Sequence, residues 1–262
     1  MTPENRCVIV TGAGGVGCGR SISVRFAKGG ASVVVSDIDD TGGQETVRLI
    51  ERNGGRAAFF RTDVRKERQV RELVSFAEAQ FGGVDVLVNN ASAPHGGEAI
   101  DSWMDSVETD LLGALYATHW TIDVMRRGRG GAIVNIASIS ALWHGRKTPG
   151  GFPGYDIAKA GMIRMTTRLA SLAETDGIRV NCLAPGWIAT ESVRPHWELM
   201  TPAERAKRGV PSRLLTTDQI SEAVVRLAED HSLAGRVLVW WSEDAPRLIE
   251  WGDRGYSKFV EF

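Results

Sequence analysis

A chain of 262 residues with 43% hydrophobic content is long enough to bury a large core as one α/β domain, and length alone does not require a second. A formal net charge of −1 leaves no basic field for nucleic acid, and no block of like charges forms a tail or a membrane arm. Met1 to Arg6 lead into an apolar strand without a signal-peptide core, and no apolar run approaches a bilayer span, so the expected location is cytoplasmic, with no membrane partner. Cys7, Cys18 and Cys182 are odd in number and far apart, two of them in predicted strands. They read as buried apolar fillers, with neither a disulfide framework nor a metal site expected.

In chain order, the apolar run Cys7 to Thr11 meets a glycine loop, Gly12 to Gly19, and then an amphipathic segment from Arg20 to Lys28. Strand, glycine loop and helix in this order suit a diphosphate that approaches backbone N–H groups at a helix start, where the dipole is positive and any Cβ obstructs. Asp37 closes the next apolar strand about twenty residues on, the spacing of a carboxylate that grips a ribose diol; the plainer reading is a turn residue. A helix over 41–53 and a strand over 57–61 follow, then Asp63, which either caps the next helix (66–81) or contacts an adenine edge. A strand over 84–88 ends in Asn89-Asn90-Ala91-Ser92, small residues that let backbone pass close to a cofactor. Trp103, Val107, Leu111, Leu115, Thr118 and Ile122 recur at a helical period and predict one long helix.

The strand Ala132 to Ala137 ends at Ser138, a candidate either for holding a substrate oxygen or for a cap. In the helix that follows, Tyr155 and Lys159 lie one turn apart on one face. An ammonium beside a phenol favours the phenolate, and moving its pKa by about three units needs roughly 4 kcal/mol, which a cation in a partly desolvated cleft supplies. Tyr155 is thus expected to be a general acid/base, oriented by Ser138. A sixth strand, 178–183, runs into Pro185-Gly186-Trp187-Ile188-Ala189-Thr190, and the irregular stretch 187–215 is the expected substrate loop. Thr201 with Pro202 and Glu204 reads as a capping box, and Thr216 opens a helix to about Glu229. A last strand, 236–241, precedes an aromatic tail over 242–262 with Trp251, Tyr256, Phe259 and Phe262. Such alternation predicts an α/β fold: a single Rossmann-like, doubly wound domain spanning 1–262, its mainly parallel seven-stranded sheet covered by helices on both faces, with ligands beyond the carboxyl ends of the strands.

In these motifs and their order the chain resembles the short-chain dehydrogenase/reductase family from Arg6 to about Trp241. The resemblance implies hydride transfer between a nicotinamide and a secondary alcohol or ketone, with Tyr155 as proton donor or acceptor, Ser138 holding the substrate oxygen and Lys159 binding the nicotinamide ribose. It implies cofactor contacts at Thr11, Gly12, Gly14, Gly17, Gly19, Asp37, Asp63, Val64, Asn89, Ala91, Tyr155, Lys159, Pro185, Gly186, Ile188 and Thr190. Asp37 selects NAD by repelling the extra phosphate of NADP. The family's habits also imply a homo-oligomer, a tetramer formed through the helices around Asp110 and Tyr155. Three departures stand out. Gly17 and Gly19 fall one residue later than the family spacing, so the loop bulges. Asp110 occupies the place of an asparagine that anchors a water relay to the lysine, and as a carboxylate it pairs with Lys159 or its water and favours the protonated phenol; the alternative is a solvated helix aspartate. The loop after Ser138 is long, and His95, Trp143, Trp187 and Trp197 are candidates to enclose a cyclic or aromatic substrate, with Arg146 or Lys147 either binding an acid group or merely solvated. A nucleotide-binding regulator with little turnover and a non-redox lyase or dehalogenase stay open as alternatives.

Overall fold

The computed structural model describes residues 6–94, 100–143 and 151–252. Strands β1 (Cys7–Thr11), β2 (Ser32–Asp37), β3 (Arg56–Arg61), β4 (Val86–Asn89), β5 (Gly131–Ile136), β6 (Ile178–Pro185) and β7 (Val237–Trp240) pair in parallel. A two-residue β8 (Arg247–Leu248) adds antiparallel to β7, giving the order β3-β2-β1-β4-β5-β6-β7-β8. The seven expected parallel strands thus gain an eighth from the stretch read as tail. Its residues carry no strand period of their own, and pairing with β7 alone defines them.

Alternate residues of each central strand serve opposite faces. Val8, Val10, Val33 and Val35 pack beneath α1 (Cys18–Lys28), α2 (Asp40–Arg52) and α10 (Thr217–Glu229) through Ile22, Phe26, Ile50 and Val224. Cys7, Ile9 and Val34 point the other way, to Leu73 and Val74 of α3 (Glu67–Phe81) and to Val124 and Met125 of α5 (Gly113–Arg127). Ile9, Leu87 and Ile133 are fully buried, each contributing about 1.5–3 kcal/mol of transfer free energy. Both expected capping boxes form, Thr201 with Glu204 at α9 (Pro202–Arg208) and Thr216 with Gln219 at α10. The strand order reverses beside β1, between β2 and β4, and that crevice lies at the carboxyl ends where Thr11, Asp37 and Asn89 sit.

The expected long helix is three pieces: α4 (Ile100–Ser106), a π-helical turn (Val107–Leu112) and α5. The wider turn shifts the phase of everything after it. Leu115, assigned to the buried face by a uniform period, is 39% exposed, while Thr118 of the same series is buried as expected, together with Ala114, Ala117 and Thr121. Asp110 sits on the π turn and is 1% exposed.

Candidate functional site

At the glycine loop, Gly12 has φ +66°, and a Cβ there would lie 2.6 Å from Ala91 Cα, so only glycine lets β1 and the β4 loop approach this closely. Asn90 ties the two together, its amide donating to the carbonyls of Thr11 and Gly12 at 2.9 and 3.0 Å, while Thr11 Oγ1 accepts from the Asn90 and Ala91 N–H groups. Within the loop, Gly15 and Val16 are exposed. Gly17 is the N-cap of α1 with no side-chain cap and no acidic residue in the first turn, and a Cβ at Gly15 or Gly17 would stand in open space. An uncapped helix start behind an open glycine surface fits a diphosphate. Asp37 closes the cradle on one side: its carboxylate accepts from the Gly14 N–H at 2.7 Å and the Asp39 N–H at 3.0 Å. Asp37 thus serves the turn, and each of its oxygens keeps a lone pair for a further donor.

Other expected cofactor residues are placed differently. Asp63 does not cap α3, whose N-cap is Lys66; its carboxylate takes the Arg65 guanidinium at 2.9 Å through both oxygens, and that ion pair holds its pKa below the usual aspartate range. Val64 is buried against Gly113. Asn89 is buried, and its amide nitrogen donates into a chain that runs to Thr118 and Asn135 and on to Thr166, while its Oδ1 has no partner among the described residues. Gly186 and Trp187 are seated by Ser242, whose Oγ accepts from the Trp187 N–H at 2.8 Å, and Ile188 bridges to Leu215.

The catalytic candidates converge. Ser138 caps the short 3₁₀ turn Ile139–Leu142 by accepting from the Ser140 N–H, and its hydroxyl also hydrogen-bonds the Tyr155 phenol. Tyr155 and Lys159 lie on α6 (Pro153–Arg168), with the ammonium 5.2 Å from the phenol ring centroid. Lys159 donates to the Ile136 carbonyl at 3.0 Å and pairs directly with Asp110 Oδ2 at 3.1 Å. The same Asp110 oxygen accepts from Ser92 Oγ, and its other oxygen from the Ala93 N–H, both at 2.7 Å. Asp110 is thus neither solvated nor linked to the lysine through water. Gly154 and Gly161 make this possible, for a Cβ at either would strike Trp103 of α4 or Leu111 of the π turn. Sequence reasoning missed both glycines and Ser92; the spacing Gly154, Ala158, Gly161 is a small-residue helix face that could have signalled a close crossing.

Electrostatics here differ from the expected sign. Burial dominates at Tyr155 and raises its pKa; Lys159 and the Ser138 hydrogen bond pull it back, while Asp110 and Asp156 push it further up. The phenol is therefore held protonated at neutral pH. Burial acts downward on Lys159, but the Asp110 charge and then Tyr155 outweigh it, and its pKa is raised. Cys7 and Cys182 are buried thiols, each pushed up to about 12 by desolvation.

Ser138 and Tyr155 open onto a cavity of about 960 Å³ walled by Trp143, Phe152, Trp187 and Trp241. Trp197 does not line it. Its indole N–H donates to the Pro211 carbonyl at 2.9 Å and its ring lies 3.8 Å below the Arg205 guanidinium carbon. Arg205 and His196, neither singled out from the sequence, line the cavity in its place. His95, Arg146 and Lys147 lie outside the described residues, as do Tyr256, Phe259 and Phe262. Among the described residues no helix is long and apolar enough to cross a membrane, and no group of side chains could hold a metal ion.

Residues 6–200 match the family model described as short chain dehydrogenase. The short chain dehydrogenase/reductase astE of Aspergillus oryzae is 32% identical, over 87% of this chain and 89% of its own. The cis-4-hydroxycyclohexanecarboxylate dehydrogenase of Sinomonas cyclohexanicum is 34% identical, over 86% and 90%. Among solved structures, a 7α-hydroxysteroid dehydrogenase complexed with NADH and 7-oxo glycochenodeoxycholic acid superposes with TM-score 0.78 at 28% identity, covering 91% of this chain and 93% of that one. By its matched residues, its fold and these relatives, the chain belongs to the short-chain dehydrogenase family, a family of nicotinamide-dependent dehydrogenase/reductase enzymes.

Proposed function

We propose that this protein is an NAD-dependent oxidoreductase that interconverts a cyclic secondary alcohol and its ketone. The observation that carries the reading is Tyr155, hydrogen-bonded to Ser138 and backed by the Lys159–Asp110 pair, at the head of an aromatic-walled cavity. The bound nicotinamide supplies the hydride acceptor in oxidation and the donor in reduction. Ser138 orients the substrate oxygen, and Tyr155 takes the hydroxyl proton or returns it to the carbonyl oxygen. Of the three N–H donors of Lys159, Ile136 and Asp110 occupy two, and the third reaches only the weak acceptor Met162 Sδ at 3.9 Å, which the nicotinamide ribose would replace. Gly186, Ile188 and Thr190 lie along the same cavity, on the side proposed for the carboxamide. Asp37 supports NAD over NADP, because a second phosphate would meet its carboxylate at the Gly14 cradle. Homo-oligomer formation is part of the proposal: Met104, Leu115 and Ile157 remain exposed on adjacent helices, apolar area of the kind that marks an interface.

The test follows nicotinamide absorbance with NAD and NADP over a panel of cyclic, aromatic and open-chain secondary alcohols, with Tyr155→Phe alongside. Turnover of cyclic alcohols that falls by roughly 10²-fold or more in the variant is the expected result. Equal turnover in Tyr155→Phe would remove the phenol from the mechanism, and tight NADH binding without any turnover would favour the regulator reading.

A further inference from the structure

The cavity that Tyr155 opens onto carries a guanidinium, that of Arg205, with which no carboxylate among the described residues forms an ion pair. Arg205 leaves α9, uses Nε to donate to the Met200 carbonyl at 3.1 Å, and lays its plane on Trp197 with the central carbon 3.8 Å from the ring centroid. Trp197 is itself fixed by the Pro211 carbonyl. Among the described residues no carboxylate forms an ion pair with Arg205, although Arg48, Arg65, Arg126 and Arg127 all have one. Glu204, its neighbour on α9, spends its carboxylate on the Thr201 cap. A stacked guanidinium held at Nε has lost most of its rotamer freedom and presents its terminal N–H groups as a fixed fork, the geometry that matches a carboxylate.

The rest of the cavity narrows what carries that carboxylate. Trp143, Phe152, Trp187 and Trp241 give the cavity an apolar body, and His196 of α8 (Arg194–Leu199) lines it along with Arg205 of α9. Glu243 and Asp244 line the cavity from the β7–β8 turn, and neither pairs with Arg205. Glu243 is held by the Ser212 N–H, and these two carboxylates are the groups that a cationic substrate would seek in the same cavity.

We propose that the substrate is a cyclic secondary alcohol bearing a carboxylate remote from the reacting carbon, and that Arg205 is the residue that binds that carboxylate. This deepens the proposed function and rests on Ser138 and Tyr155 being its reacting end. The experiment compares kcat/KM for 4-hydroxycyclohexanecarboxylate, its methyl ester and the matching primary-amine alcohol in wild type, Arg205→Gln and Arg205→Lys, each first shown to melt cooperatively. Wild type should prefer the acid to the ester by roughly 10- to 100-fold, as one charge-assisted fork provides. In Arg205→Gln that ratio should collapse toward one, with the loss in KM, and Arg205→Lys should recover only part of it. An unchanged acid-to-ester ratio in Arg205→Gln, or a wild type that prefers the amine, overturns the proposal. Should no alcohol react, the failure belongs to the oxidoreductase reading, and calorimetric titration with cyclohexanecarboxylate then decides. Binding lost in Arg205→Gln upholds the site, whereas no binding, or equal binding, refutes it.

Discussion

Replacing Asp110 with asparagine removes one charge from a pair with almost no water-facing surface, Asp110 being 1% and Lys159 2% exposed. At 3.1 Å and an effective dielectric of ~20, the attraction is about 5 kcal/mol. Breaking a buried pair from one side costs on the order of 3–5 kcal/mol, so the two routes agree in size. Asparagine keeps an acceptor for the Ala93 N–H, and the Ser92 hydroxyl can turn to accept, which leaves the loss on Lys159. In the wild type the folded pKa of Lys159 is raised, so its stabilisation is fully present below the ordinary lysine value of about 10.4 and disappears only as the pH rises through the higher folded value. Without Asp110, burial becomes the dominant influence and the sign reverses: the folded pKa falls below the unfolded one, and stability rises with pH as the stranded ammonium gives up its proton. Urea unfolding should therefore show Asp110→Asn less stable by about 3–5 kcal/mol near pH 7, with the gap narrowing by about pH 9.5. A gap below about 1 kcal/mol near neutrality, or one that does not change with pH, refutes this account of the pair.

The raised Tyr155 pKa predicts that reduction, which needs the protonated phenol, keeps its rate through neutral pH, while kcat/KM for oxidation climbs as the phenol ionises at alkaline pH; matched profiles in the two directions would contradict it. Asp37→Ala removes the proposed ribose acceptor along with the partner of the Gly14 N–H, so NAD affinity should drop by roughly tenfold or more while NADP is tolerated better, read by fluorescence titration. Gly154→Ala places a methyl against the Trp103 backbone and should cost about 3 kcal/mol or more in unfolding experiments. Gly15→Ala meets nothing within 4 Å and has no positive φ, so it should leave stability equal or higher by about 0.4–1 kcal/mol while weakening dinucleotide binding; reduced stability with intact binding would refute the reading of the open cradle.

Strand and helix order was legible because each unit carries its own local signal: β1 and β2 are unbroken apolar runs buried on both faces, and Thr201 and Thr216 announce α9 and α10 within three residues of themselves. The reacting face of α6 was legible for the same reason, Tyr155 and Lys159 being one turn apart in any helix. What stayed hidden depends on partners remote in the chain. Nothing near Asn89 shows that Asn135 and Thr118 will take its amide. Trp197 looked like substrate wall by residue type, yet the chain uses it as the platform under Arg205.

The sign of the Tyr155 pKa is instructive because a sequence places charges along a chain and says nothing of how much water surrounds them. Lysine one turn away lowers the phenol's pKa, as expected, but the same packing leaves the ring only partly exposed, and that desolvation outweighs the lysine. That packing traces to the π turn. A uniform helix over 100–127 would not present Asp110 and the Ala114–Ala117 face in the observed relation, and Gly154 and Gly161 would then have no reason to clear room for it. The turn gives up regular helix geometry to hold an acid against the lysine. It thereby commits the ammonium to its charged form and leaves the phenol protonated until a ligand changes the surroundings.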